Sequence, residues 1–374
     1  MKAILIISKH FYPIESGSEK TTRYIADYLA NKGWRVHLFV INGNSEKLSS
    51  NICFHRMKTN GIYNLFSKKL YLKEFADIFF TFLPIIQIII ENHIQLVYIH
   101  YTESIGLSAV IASRMLNVKS IILWPTSCLY HFKKTENPLS YIINKTYSKM
   151  ASAFIAKGMS QEQFKVYFKI SSNKLFHSVN PIEFKDYFVE KLSPQRPEII
   201  KILYLGKFNN YKRPDLLVKS VQLLQNKNIE IHFYGDGADE ENLRGLIKKL
   251  KLEEKCIIHE PIKDVKNLIS KFQIFVFPSP YESAYSQSLL EAIAASRITI
   301  VKYTEGIKRF FPKNSIIGIE KITAKNIAHA LDYAIINYEE SITIAERGSE
   351  IVKNKFSFDG FYKQTKNIIL KEYL

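Results

Sequence analysis

Two carboxylates, Glu282 and Glu291, bracket a stretch dense in groups that bind hydroxyls and anions: Ser283, Tyr285, Ser286, Gln287 and Ser288. Acceptors, hydroxyls and the free backbone amides of a helix start, gathered in one turn, suit a polyhydroxylated ligand that carries phosphate. An acid near a helix start is also favoured by the helix dipole with no ligand present. The combination, rather than either glutamate, carries the implication. Upstream, Lys207 and Lys212 follow the apolar run Ile199–Leu205, and Gly17 sits with Ser16 and Ser18 after a first apolar run. Lysines in such a place can neutralise an anion held at the carboxyl end of a strand.

These groups need parallel strands and crossover helices to hold them. Gln273–Phe277 reads as a buried strand ended by Pro278, Ser279 and Pro280. From Ser286 the pattern turns helical, with Leu289, Leu290, Ile293 and Ala294 on one face, and Ile298–Val301 is the next strand. Strand, loop, helix, strand is a right-handed crossover unit, whose ligands lie at the carboxyl strand ends. The chain opens the same way: strand Lys2–Ser8, loop His10–Lys20, helix Thr21–Lys32 stopped by Gly33, strand Val36–Val40. Leu96–His100, Ser120–Leu123 and Ala151–Ala156 read as further strands, Ile78–Ile90 and Ile105–Leu116 as helices, and residues 41–75 are less regular. Ile78–Ile90 is broken by Thr81, Pro84 and Gln87, is too short to span a bilayer, and reads as a buried helix. Ser193-Pro194-Gln195-Arg196-Pro197 is the linker expected before a second series of strands, Ile199–Leu205, Glu230–Tyr234 and Cys256–His259. Gly235-Asp236-Gly237 reads as a tight turn, and a capped helix is expected from Ser357 or Asp359 to Leu374.

The sequence FPSPYE at Phe277–Glu282, followed by LLEAIA at Leu289–Ala294 and a strand, resembles the signature of retaining glycosyltransferases of family 4, which have the GT-B fold. The resemblance implies that Glu282 holds the donor sugar and that Glu291 holds the ribose of the nucleotide. Eight residues separate the two glutamates, one more than in the family's pattern. Either the loop bulges at Ser283 or Ala284, or the first role has moved to another residue. Lys207 stands where the family has an arginine and Lys212 where it has a basic residue, together clamping the donor's phosphates; lysine exchanges a bidentate fork for a point charge. FYPIESGSE resembles the family's first glycine loop, with Gly17 near the donor diphosphate or the acceptor. The loop Glu260–Lys263 resembles the segment that reads the nucleobase, here through Ile262. With Tyr285, Ser286 and Gln287 these make the expected donor site. The family's histidine near the reacting sugar has no counterpart in Trp124-Pro125-Thr126-Ser127; His131 reads as a surface or capping residue, and Thr126 and Ser127 are the candidates on the acceptor side. Asn180-Pro181-Ile182-Glu183 with Phe188 resembles the family's element before the linker.

The 374-residue chain has length for two cores. Three separated cysteines without a CxxC pair fit a reducing compartment and oppose disulfides and zinc. The apolar stretch at the N-terminus is too short for a signal peptide and fits a first strand. No GxGxxG follows a strand, which opposes a dinucleotide oxidoreductase, and no Asp-x-Asp appears. Of the net charge of +17, residues 1–197 hold 25 basic against 13 acidic side chains, and residues 198–374 hold 27 against 22. That asymmetry suits anionic lipid or an acidic acceptor. Residues 131–150 add lysines beside apolar and aromatic positions, as a helix lying on an anionic membrane would. Charge alone, with no binding module, does not make a nucleic-acid partner.

The expectation is an α/β protein of GT-B type: two facing Rossmann-like domains, 1–192 on the acceptor side and 198–355 for the nucleotide sugar, with 356–374 as a helix crossing back to the first. The resemblance implies a retaining transferase, without a metal or cofactor, using a UDP- or GDP-sugar and a glycan or lipid-linked acceptor of the polysaccharide or lipopolysaccharide type. It would work in the cytoplasm, peripheral to the inner face of the membrane. The alternatives are a nucleotide-sugar epimerase of the same fold and a GT-B protein that binds without catalysis.

Overall fold

Apolar runs that are continuous rather than alternating require cover on both faces, and parallel strands joined through helices supply it. The computed structural model describes residues 2–13, 17–46, 48–58, 61–67, 70–100, 104–124, 138–156, 170–177, 181–187, 191–262, 264–280, 286–361 and 363. The chain divides into two units, Met1–Pro181 with Phe361–Leu374, and Ile182–Gly360. The helix expected to run to Leu374 is described only as far as Lys363; the rest lies outside the described residues.

In the first unit the described strands are β1 (Ala3–His10), β2 (Arg35–Asn42), β3 (Ile52–Arg56), β4 (Leu96–His100), β5 (Lys119–Trp124), β6 (Ala153–Ala156) and β7 (Leu175–His177). They form one parallel sheet in the order β3-β2-β1-β4-β5-β6-β7. β1 is central and buried from Ala3 to Ser8, as its sequence requires. On β2 and β3, His37 Nδ1 lies 2.9 Å from His55 Nε2, the rings stacked.

Helix Gly61–Ser67 packs on Leu70–Glu91, which in turn packs on the helix Ser104–Met115. Asp77, fully buried, holds them: the hydroxyls of Tyr63 and Ser104 donate to its two oxygens at 2.8 and 3.0 Å, with Lys9 Nζ at 3.7 Å. A buried carboxylate persists only when satisfied in this way. The long helix is not the buried one expected from Ile78–Ile90. Ala76, Ile85, Ile88 and Ile89 face the core, but Phe79 is 74% and Leu83 68% exposed. Its apolar residues run all round the helix, and the core has room for one side only.

The second unit has β8 (Ile200–Leu205), β9 (Ile229–Tyr234), β10 (Cys256–His259), β11 (Ile274–Phe277), β12 (Ile298–Lys302) and β13 (Ile317–Ile319), again parallel, in the order β10-β9-β8-β11-β12-β13. His232 and His259 on β9 and β10 repeat the histidine pair, Nδ1 to Nε2 at 2.9 Å. Ile182 joins this unit through a backbone bond to Phe356, 2.9 Å. Arg297, 2% exposed, donates to the carbonyls of Ala295 at 2.8 Å and Phe272 at 3.1 Å.

Candidate functional site

Strand order in the second unit reverses between β8 and β11, which both pair with their neighbours from the centre of the sheet. In doubly wound sheets ligands bind beyond the strand ends at such a switch. The loops after β8, β9 and β11 meet there.

After β8, the Asn209 side chain accepts from the backbone N–H of Tyr211 and Lys212 at 3.1 and 2.9 Å, folding the loop back on itself. Arg213 takes a left-handed conformation, φ 56°, before the helix Pro214–Val221. Its guanidinium donates twice to Asp215, at 2.8 and 3.0 Å, and Lys219 donates to the same carboxylate. Burial pushes the Asp215 carboxyl up, but Arg213 and Lys219 together hold it below the usual carboxylate value. Lys212 is directed elsewhere. Its Nζ lies 4.8 Å from the centre of the Phe277 ring, at the carboxyl end of β11, and 5.6 Å from that of Tyr211. The buried Ser279 hydroxyl donates to the Tyr211 carbonyl at 3.1 Å and ties the loop after β11 to the loop after β8.

Lys207 pairs with Asp236 of the turn after β9, both side chains at least half exposed. Exposed pairs contribute only about 0–1 kcal/mol, so this one yields readily to a competing anion. The Tyr204 hydroxyl donates to the Lys207 carbonyl at 2.9 Å. Gly235 and Gly237 let the turn lie against that loop: Phe208 N–H donates to Asp236 O at 2.8 Å, and an added Cβ at Gly235 would fall 2.0 Å from the Gly206 oxygen. The tight-turn reading of these glycines therefore acquires a partner, the lysine loop itself.

Helix Gln287–Ala294 begins after Ser286, which makes no side-chain cap. Both amide atoms of Gln287 are shielded from solvent and have no hydrogen-bond partner among the described residues. A turn later Glu291 is 2% exposed, and its Oε1 accepts from the Tyr187 hydroxyl at 2.8 Å. Glu291 is thus not an open carboxylate but one held in place at the base of the helix. Leu289, Leu290 and Ile293 bury the opposite side of the same helix.

The structure brings Lys207, Lys212, Ser286, Gln287 and Glu291 to the carboxyl ends of adjoining strands in one unit. Ile262 follows β10 and is 38% exposed, beyond a stacked pair in which the Tyr234 and His259 rings lie 4.3 Å apart. Gly17 opens the helix Gly17–Asn31 after β1 in the first unit. Glu282, Tyr285, Thr126, Ser127, His131 and Phe188 lie outside the described residues. Sequence reasoning missed Tyr187, Asp236 and Asn209. For Tyr187 the signal was near: the Asn180–Glu183 element pointed to the adjacent Phe188.

Two family models match this arrangement, one described as Glycosyl transferases group 1 over residues 187–350 and one described as Glycosyl transferase 4-like over residues 14–158. The chain is a glycosyltransferase, of group 1 type in its second half and 4-like in its first. An uncharacterized glycosyltransferase of Haemophilus influenzae is 25% identical over 364 residues, 94% of this chain and 96% of its own. The N-acetylgalactosamine-N,N'-diacetylbacillosaminyl-diphospho-undecaprenol 4-alpha-N-acetylgalactosaminyltransferase of Campylobacter jejuni is 26% identical over 145 residues, 38% of this chain and 39% of its own. Among solved structures, Anabaena HepE in complex with UDP has a TM-score of 0.80 at 12% identity, covering 99% of this chain and 100% of HepE. The two parallel-sheet units of this glycosyltransferase have the GT-B fold.

Proposed function

We propose that this glycosyltransferase moves a sugar from a nucleotide diphosphate sugar, with a UDP or GDP carrier, to a lipid-linked or acidic glycan acceptor, with retention at the anomeric carbon. The bond from the sugar's anomeric carbon to the diphosphate oxygen breaks, and the electron pair leaves with the diphosphate. A new bond forms on the same face to an acceptor hydroxyl, whose proton passes to the departing diphosphate oxygen. Lys207 and Lys212 supply positive charge to the departing diphosphate in place of a metal ion, and positioned charge of this kind lowers a barrier by about 3–4 kcal/mol. Glu291, oriented by Tyr187, takes the ribose hydroxyls; the orphan Gln287 amide and the backbone amides beside it take phosphate or sugar oxygens. Glu282 and Tyr285 are assigned to the donor sugar, Ile262 to the base, Gly17 to the diphosphate or acceptor, and Thr126 and Ser127 to the acceptor.

The observation that carries this is the placement of Lys212 over Phe277 at the carboxyl end of β11, where FPSPYE begins. HepE binds UDP, and the name of the Campylobacter relative specifies a diphospho-undecaprenol acceptor; both support the substrate classes. A lipid-linked acceptor places the work at the inner face of the cytoplasmic membrane. Thermal shift against UDP, GDP and their sugars tests the donor, with about 2.7 kcal/mol of added stability expected at 100 times the dissociation constant. Proton NMR of the product then reads the anomeric configuration. Conversion of the sugar while still attached to the nucleotide would favour an epimerase instead.

A further inference from the structure

The helix Leu70–Glu91 presents an unusual stripe to solvent. Leu72, Phe75, Phe79, Leu83 and Ile90 recur at helical spacing and are each at least 36% exposed, Phe79 most of all. Helix Gly61–Ser67 extends the patch with Ile62, Leu65 and Phe66, exposed at 58%, 69% and 41%. Between the two helices lies a cavity of about 750 Å³ lined by side chains such as Ile62, Phe66, Phe75, Phe79 and Leu83, with no charged residue among its walls. Single exposed apolar residues are ordinary, but a contiguous patch of this kind marks an interaction site.

The patch is held open by the core beneath it. Tyr63 bonds to Asp77 and meets the Phe80 ring edge-on, centroids 5.7 Å apart, which locks the short helix onto the long one. The outward residues are thus displayed on a rigid base.

Charge chooses the occupant. Lys58 is exposed just before the short helix, and Lys73 lies on the first turns of the long one. The first 197 residues carry an excess of 12 positive charges. A second copy would bring the same excess against itself, whereas an anionic bilayer answers both features, hydrocarbon for the aromatic stripe and headgroups for the lysines. No helix among the described residues is long and apolar enough to cross a membrane, so contact is with one leaflet. A cavity walled by Phe, Ile and Leu offers a sugar nothing to bond to but accepts an alkyl chain.

We infer that the aromatic face of Gly61–Ser67 and Leu70–Glu91 inserts into the outer hydrocarbon of an anionic bilayer and receives a lipid chain in the cavity between the helices. This deepens the lipid-linked acceptor reading and rests on it for its purpose.

The test is cosedimentation of the full chain with phosphatidylglycerol or phosphatidylcholine vesicles at 0.1 M and 1 M salt, for the wild type and for Phe79→Asp with Leu83→Asp. Both positions are largely exposed, so the double variant should fold, which its melting curve and UDP thermal shift verify. The wild type should bind phosphatidylglycerol in preference, less at high salt, and the variant should bind at least about tenfold more weakly. Equal binding by wild type and variant, no binding by the wild type, or a wild-type dimer that the variant converts to monomer would overturn the inference. UDP binding without vesicle binding leaves the donor assignment standing and removes this surface; vesicle binding without any nucleotide shift does the reverse.

Discussion

Lys212 Nζ sits 4.8 Å above the centre of the Phe277 ring, so a cation from the loop after β8 is stationed at the carboxyl end of β11. The ring holds the ammonium by cation–π attraction. Lys212→Ala should lower the transfer rate by about 10²–10³ while leaving the melting temperature nearly unchanged, because the side chain is not part of the core. Steady-state turnover and a thermal melt check both halves. Full turnover by the variant would remove Lys212 from the mechanism.

Tyr187 positions Glu291, and Tyr187→Phe removes one hydrogen bond to a buried carboxylate. Such bonds contribute about 1.5–3 kcal/mol, so binding of UDP should weaken about 10- to 100-fold. The effect should fall on KM for the donor more than on kcat, since a ribose bound by Glu291, as proposed, would be held alike in ground and transition states. An unchanged donor KM beside a lowered denaturation midpoint would reduce the tyrosine to a structural residue.

Gly235→Ala and Gly245→Ala make an internal contrast. A Cβ at Gly235 meets the Gly206 oxygen at 2.0 Å, whereas one at Gly245, inside helix Glu240–Lys249, meets nothing within 4 Å. The first substitution should destabilise by more than about 1 kcal/mol; the second should stabilise by about 0.5–1 kcal/mol. Urea denaturation of the two variants should move the midpoint in opposite directions.

Acid should loosen the first unit at its β2–β3 edge. Burial, then His55 and Arg35, lower the His37 pKa to about 4 from its ordinary 6.5. A group whose folded pKa is depressed contributes stability that is present above the unfolded pKa and lost as pH falls from there towards the folded one. Between pH 6.5 and about 4 the unfolded chain takes up a proton at His37 that the folded chain refuses. His37→Asn should flatten the pH dependence of stability over that window, measured by urea titration at several pH values. An unaltered slope would count against the histidine pair.

Much of this architecture was legible because parallel strands carry continuous apolar runs. Val36–Val40, Leu96–His100 and Gln273–Phe277 needed only their hydrophobicity to be seen. β3 and β7 escaped because short strands at the two margins of the sheet carry polar residues: Ile52–Arg56 mixes Cys53, His55 and Arg56 with two apolar positions. The helix Leu70–Glu91 was misjudged because composition reports how apolar a helix is and not which side meets the core. Lys207 and Lys212 could be singled out from the strand end they follow together with the family resemblance. Tyr187 could not: it lies 104 positions from Glu291, and no local periodicity connects them.

Arg297 gives the helix Gln287–Ala294 a polarity beyond its sequence. Its guanidinium bonds the carbonyls of Ala295, just past the end of that helix, and of Phe272, so positive charge is already fixed at the helix's negative pole. The opposite pole, at Ser286, has no side-chain cap. A diphosphate arriving there, as proposed, would complete a dipole clamped by opposite ions at its two tips. Ligation should therefore slow hydrogen exchange in the first turn of this helix far more than in its last, which Arg297 has immobilised beforehand.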